Sequence, residues 1–205
     1  MNLATEIAMD YGITIALVAI SYLIGSISFG IITSKFYKIG NLRALGSGNI
    51  GATNVLRSGN KKAAAVTLFL DGGKGYLAIL LAHSFMQIEF LPLVAIAVFF
   101  GHLFPVFHSF KGGKGVATFI GIMFGINIIV GLGICLVWVA LAALFRKSSV
   151  SALGSSIFSP FLIFAFDGQQ NLILTSILVL ILWSRHKENI KRILSNTEPS
   201  ITIKK

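Results

Sequence analysis

The run VATFIGIMFGINIIVGLGICLVWVALAALF, Val116 to Phe145, decides the fold. It is 30 residues long and carries no charge. A helix crossing a bilayer needs about 20 apolar residues, so the run is long for one crossing and short for two. The flanks settle the count. Lys111 and Lys114 precede it, and Arg146 and Lys147 follow it. Basic loops face the cytoplasm, so both ends of the run lie on one side and the chain must cross an even number of times between them. The spacing therefore predicts two short helices turning near Asn127 to Gly131. Gly121 and Gly125 form a GxxxG face that lets such helices pack closely.

Composition agrees with a membrane setting. Of 205 residues, 55% are hydrophobic and only 12% charged, with a mean hydropathy of +0.86. Soluble domains carry about 25% charge. A single integral membrane domain, residues 1–205, is expected. Other apolar runs cover 12–34, 63–86, 90–107, 150–166 and 171–184. The 63–86 run is interrupted by Asp71, Gly72, Gly73 and Lys74. The first residues hold Glu6 and Asp10 but no Lys or Arg, unlike a cleaved signal peptide, so the first run is expected to stay. The lone Cys135 sits in an apolar run, which rules out a disulfide framework.

The net charge of +10 raises the question of nucleic acid, but its distribution argues for a membrane. Lys35, Lys38, Arg43, Arg57, Lys61 and Lys62 share one connection. Arg185, Lys187, Lys191, Arg192, Lys204 and Lys205 close the chain. Glu6, Asp10, Glu89 and Asp167 fall in the other connections, which lack basic residues. The fold expected is all-α, with seven transmembrane helices, the N-terminus outside and the C-terminus cytoplasmic.

All unusual chemistry then gathers on one face. The first segment is RALGSGNIGATNVLR, Arg43 to Arg57. Gly46, Gly48 and Gly51 spell GxGxxG, but a transmembrane helix precedes them where a dinucleotide fold needs a strand. The glycines still favour backbone amides closing around an anion, with Arg43, Ser47, Asn49, Thr53, Asn54 and Arg57 beside them. The second segment is GHLFPVFHSFKGGKGVAT, residues 101–118. Lys111, Gly112, Gly113, Lys114 and Gly115 lead into a helix. That is a phosphate-type site, though not a Walker A loop, since Gly follows Lys114.

The tetrapeptide GGKG recurs at 72–75, inside a span. There Asp71 and Lys74 share a helix face, and intramembrane ionisable residues are candidates for function or for a structural ion pair. His102, heading the second segment, is a further candidate. The third segment is SRHKENIKRILSNTE, Ser184 to Glu198. His186 and Asn189 lie on one face of a helix whose Ile190, Ile193 and Leu194 give it an interfacial apolar side. An anion transporter and a lipid-binding scaffold are open alternatives to an enzyme.

These motifs resemble the bacterial membrane acyl-phosphate:glycerol-3-phosphate acyltransferases, the PlsY family. The likeness rests on YLIGSISFG, GSGNIGATNVLR, GHLFPVFHSFKGGKGVAT and RHKENIKRILSNTE, in family order over nearly the whole chain. Ser28 and Ile50 stand where proline is frequent, and Asn196 where glycine is. The resemblance implies an acyl phosphate donor, a glycerol 3-phosphate acceptor and no cofactor or metal. It implies functional roles for Ser47 and Arg57, a glycerol-phosphate-binding loop at Gly112 to Gly115, functional His186 and Asn189, and a structural Glu198. It also implies the bacterial inner (cytoplasmic) membrane, with the active site on the cytoplasmic face and the bilayer as partner, not nucleic acid.

Overall fold

The computed structural model describes residues 3–201, with side chains from Asp10 onward. Glu6, Lys204 and Lys205, counted in the charge argument, lie outside the described side chains. Ten α-helices and three short 3-10 turns make up the described chain, with no strand among these residues. They are α1 (Leu3–Ser26), α2 (Phe29–Phe36), α3 (Ala52–Leu56), α4 (Lys61–Phe85), α5 (Leu91–Leu103), α6 (Val116–Ile126), α7 (Ile128–Phe145), α8 (Ser148–Phe166), α9 (Leu172–Ser184) and α10 (Lys187–Leu194).

The first apolar run is not one helix. It breaks at Ile27 and Ser28, where the carbonyl of Ile27 accepts the Lys74 ammonium at 2.8 Å. Composition could not show this break, because no Pro or Gly stands at 27–28. Five stretches among the described residues are long and apolar enough to cross a membrane: Asp10–Phe36, Lys61–Phe85, Ile88–His108, Ile128–Phe145 and Ser148–Phe166. α6 and α9 are apolar but shorter.

The 116–145 run divides at Asn127. Its extended backbone stops α6, and its side-chain oxygen caps α7 by accepting Ile129 N–H at 2.9 Å and Val130 N–H at 3.3 Å. Ser, Thr, Asp and Asn serve at this position because helix-start amides lack internal partners. Asn127 also donates to the Phe166 carbonyl at the far end of α8. α7 then runs antiparallel to α8, with Gly133 beside Leu162 and Gly154 beside Leu141.

The Gly121/Gly125 face does not join α6 to α7, as its spacing led one to expect. It packs on α4. A Cβ at Gly121 would collide with the Gly72 carbonyl, and one at Gly125 with Ile79. Gly75 in turn faces the Thr118 carbonyl. The glycines of the intramembrane GGKG thus let two helices run in close contact. α1 and α5 make a second such pair, with Gly25 against Val98 and Gly101 against Tyr22. One end of the bundle carries Asp10, bonded to Gln87 at 3.0 Å, together with Asn127 and Asp167. The 40–60 connection, the second glycine loop and α10 gather at the other.

Candidate active site

A cavity of about 790 Å3 opens at that second end. Its polar rim includes Ser47, Arg57, Lys114, His186, Asn189 and Glu198. Three segments distant in sequence therefore meet, as their chemistry predicts. From the rim the cavity continues as an apolar groove between α4, α6 and α7, past Phe69, Ile120, Phe124 and Trp138. Phe69, Ile128 and Val139 line it and are 75%, 65% and 60% exposed, so the groove opens sideways along the bundle.

The first loop is shaped by Asn54. This buried side chain donates to the carbonyls of Leu42, Leu45 and Asn49 and accepts from the Ser47 N–H at 3.0 Å. Expected to touch phosphate, it lines the cavity, and its polar atoms hold the loop in shape. The Ser47 hydroxyl lies 3.4 Å from the same oxygen. Gly46 and Gly48 have φ of +52° and +71°, a region costly for other residues. They set the turn and do not line the cavity, whereas Ser47, Asn49, Gly51 and Thr53 do. The Gly48 N–H is taken by the Leu45 carbonyl. Thr53 shares a 2.9 Å hydrogen bond with Ser148.

The second loop divides in the same way. Gly112 and Gly113 N–H groups bond to the carbonyls of Leu103 and His102, the orphan acceptors at the end of α5. Those amides are therefore spent, and neither glycine lines the cavity. A Cβ on Gly113 would strike the His102 ring. What the loop offers the cavity is Lys114, Gly115 with φ of +84°, and the first turn of α6. Lys111 is exposed and also outside the cavity. Arg43 donates to its carbonyl and faces a different pocket. The spacing that grouped Arg43, Gly46, Gly48, Lys111, Gly112 and Gly113 with the anion contacts could not show which way each points.

The third wall is a hydrogen-bonded chain. Lys114 donates to the Asn189 oxygen, and Asn189 donates to Glu198 at 2.6 Å. Ser149 also donates to Glu198, at 2.7 Å, and Arg192 pairs with it at 2.8 Å. Burial alone would raise the Glu198 carboxyl, but the bonds from Ser149, Asn189 and Arg192 outweigh it and hold it below the usual range. Burial, with Arg192 nearby, lowers Lys114 to about 8. His186 bonds through Nδ1 to the Leu182 carbonyl at 2.8 Å. A carbonyl can only accept, so Nδ1 carries the proton and Nε2 is left as an acceptor. Burial lowers this histidine to about 4, so the ring is neutral near pH 7.

Arg57 lies on the rim, with its Nε and one terminal nitrogen bonded to the carbonyls of Ser200 and Pro199. Two of its five N–H donors are thereby fixed, which aims the rest. The intramembrane candidates cluster behind the second loop. Asp71 lies 2.9 Å from Lys74 and 3.6 Å from His102, all three buried, and Asp71 and His102 reach the cavity wall. Sequence reasoning missed Ser149 and Arg185. Arg185 stacks on Phe104 and donates to the Gly113 carbonyl at 3.4 Å. Its place beside His186 was the signal, masked by its value as a basic flank.

The comparisons agree with this architecture. A family model described as glycerol-3-phosphate acyltransferase matches residues 15–196. The glycerol-3-phosphate acyltransferase of Dinoroseobacter shibae is 46% identical over 93% of this chain and 95% of its own. That of Rhodopseudomonas palustris is 46% identical over 96% of this chain and 100% of its own. Among solved structures, PlsY in its glycerol 3-phosphate form superposes with a TM-score of 0.86 at 37% identity, covering 91% of this chain and 94% of that one. PlsY in its lysophosphatidic acid form gives 0.83 at 35% identity, again over 91% and 94%. The chain belongs to the PlsY family of integral membrane glycerol-3-phosphate acyltransferases.

Proposed function

We propose that the chain transfers a fatty acyl group from acyl phosphate to the 1-hydroxyl of sn-glycerol 3-phosphate, releasing lysophosphatidic acid and inorganic phosphate. One observation carries this reading: a cationic rim and an apolar groove form a single continuous cavity. Two anionic headgroups and one long chain need that combination. Lys114 and the first turn of α6 hold the acceptor phosphate, since ammonium and helix-start amides both favour an anion. Arg57 and Ser47 hold the donor headgroup, and the groove holds its tail. Asn189, fixed by Glu198, orients Lys114.

In the reaction the glycerol C1 oxygen attacks the acyl carbonyl carbon, and the carbon–oxygen bond to phosphate breaks. Neutral His186 accepts a hydrogen bond from the C1 hydroxyl through Nε2. The proton passes to that nitrogen or to a phosphate oxygen of a substrate. The donor is a mixed anhydride, already activated, so a covalent acyl-enzyme would add a step without removing a difficult one.

In the membrane we assign seven crossings to the single domain of residues 1–205, counting α1 with α2 as one and both α6 and α9 as short ones. The N-terminus is outside and the C-terminus cytoplasmic. The enzyme sits in the bacterial inner membrane with the cavity rim on the cytoplasmic face. The even crossing of 116–145 is supported by Asn127 lying beside Phe166. The decisive experiment gives purified protein palmitoyl phosphate and glycerol 3-phosphate without Mg2+ and measures released phosphate. Turnover of acyl-CoA at an equal rate would overturn the donor assignment.

A further inference from the structure

A second pocket, of about 590 Å3, lies at the end of α2, outside the cavity described above. Lys35, Lys38 and Arg43 face it, over a floor that includes Ile31 and Ile50. Among the described residues none of the three cations has an ion-pair partner, and no acidic residue lines the pocket. Converging like charges repel, so three in one concavity create a positive potential that calls for an anion. The chain turns at the end of α2, where Lys38 with φ of +54° takes the left-handed position that commonly closes a helix and Gly40 has φ of +88°. Ser34 secures the bend by donating to the Gly40 carbonyl at 2.6 Å.

An ordinary positive-inside flank accounts for lysines after a span but not for a hollow between them. The neighbourhood indicates what fills it. Ile32 and Phe36 lie four apart on α2, on one face, and Phe36 is 79% exposed. An apolar strip thus runs from the basic pocket along the outside of the bundle. A headgroup in the pocket would leave its chains along that strip. Basic pockets at the cytoplasmic end of membrane helices take anionic lipid headgroups in this manner.

We propose that Lys35, Lys38 and Arg43 form a second binding site, separate from the catalytic cavity, for the phosphate of an anionic phospholipid headgroup. Arg43 also donates to the carbonyl of Lys111, three residues before Lys114. Occupancy therefore bears on the loop that we assign to the acceptor. The binding itself is independent of the donor and acceptor assignments and is tested without turnover.

The test uses the full chain in phosphatidylcholine nanodiscs containing phosphatidylglycerol, with lipid retention read by native mass spectrometry. Wild type should hold a phosphatidylglycerol under conditions that strip phosphatidylcholine. Lys35→Gln/Lys38→Gln should retain at least fivefold less, while Lys187→Gln/Lys191→Gln, on α10, should match wild type. A wild-type unfolding temperature and size-exclusion profile of the double variant show that it folds; if it does not fold, Lys38→Gln alone is used. A parallel titration with inorganic phosphate separates the sources. Displacement of phosphatidylglycerol by millimolar phosphate supports a site read through the phosphate group. Phosphate binding that requires Lys35 and Lys38, with no lipid retained, makes free phosphate the ligand and overturns the lipid assignment. Equal retention by wild type and the Lys35/Lys38 variant overturns the site.

Discussion

The ammonium of Lys114 donates to the side-chain oxygen of Asn189, so the glycine loop ahead of α6 and the last helix, α10, meet in one hydrogen bond. Asn189 is held from behind by Glu198, which Ser149 and Arg192 also grip. Glu198→Gln keeps the shape but removes the charge. Hydrogen bonds to charged groups contribute about 1.5–3 kcal/mol each, so a loss of about 2 kcal/mol is expected, seen as a lower unfolding temperature. The KM for glycerol 3-phosphate should rise with it as Lys114 loses its fixed partner. A variant with wild-type stability and KM would remove Glu198 from this role.

Lys114 also sets a pH dependence. Its folded-state value, near 8, lies below the ordinary lysine value, so the ammonium is present below pH 8 and is lost above it. In its proposed role, acceptor binding needs the charge. The ratio kcat/KM for glycerol 3-phosphate should therefore fall about tenfold per pH unit above 8. Lys114→Arg keeps a charge at every accessible pH, and its alkaline limb should disappear even if its rate is lower. An unchanged limb in Lys114→Arg would assign that titration to another group.

His186 behaves in the opposite sense. Its value near 4 keeps the ring neutral from about pH 5 upward, so His186 should contribute no acid limb between pH 5 and 7 beyond that of the substrate phosphates. His186→Ala should lower kcat by about 100-fold, within the range for a positioned proton acceptor, with KM changed less. A large KM effect at constant kcat would make His186 a binding residue.

Gly113→Ala tests the loop itself. The added Cβ would meet the His102 ring, not the substrate, so the whole Gly112–Gly115 turn must shift. We expect a raised KM for glycerol 3-phosphate with a smaller change in kcat, read from initial rates over a range of acceptor concentrations. A large kcat loss at unchanged KM would place the loop in the chemical step.

For Ser47 the expected result is an absence of adduct. Its hydroxyl lies 3.4 Å from the Asn54 side-chain oxygen, and the proposed donor is an anhydride that needs no covalent activation. Given donor alone, neither wild type nor His186→Ala should accumulate acylated protein in intact-mass spectra. Ser47→Ala and Arg57→Ala should both lose activity through weaker donor contacts. A hydroxylamine-sensitive adduct on Ser47, formed as fast as turnover, would replace direct transfer with a covalent route.

Much of this was written plainly in the chain. The division of the 116–145 run into two helices followed from the sign of the charges at its two ends, a long-range argument that needs no side-chain geometry, and the turn expected near Asn127 to Gly131 falls at Asn127. The meeting of Ser47, Lys114 and His186 followed from motifs sharing one face. What stayed illegible was direction. Arg43 and Arg57 flank the same loop, yet Arg57 reaches the large cavity and Arg43 a separate pocket, because Asn54 folds the loop between them. Gly112 and Gly113 read as free amides until the unpaired carbonyls ending α5 claimed them. Asn196 stands where glycine is frequent in the family, and with φ of +57° it occupies the left-handed position after α10, which glycine or asparagine tolerates.

The side opening of the groove, where Phe69, Ile128 and Val139 face outward, bears on how a turnover ends. Drawing a sixteen-carbon chain into water would cost on the order of 10 kcal/mol, at about 0.8 kcal/mol per methylene. That barrier alone would hold the product in place far longer than its charged headgroup could. A tail already lying against the bilayer never meets water. In the proposed reaction it would slide out between hydrocarbon neighbours while the headgroup lifts from the rim, and the next donor would arrive by the same lateral path. The glycine-tight seam of α4 and α6 forms the fixed wall of that slot. On that reading traffic would move in two dimensions for the lipid and in three for the small anions.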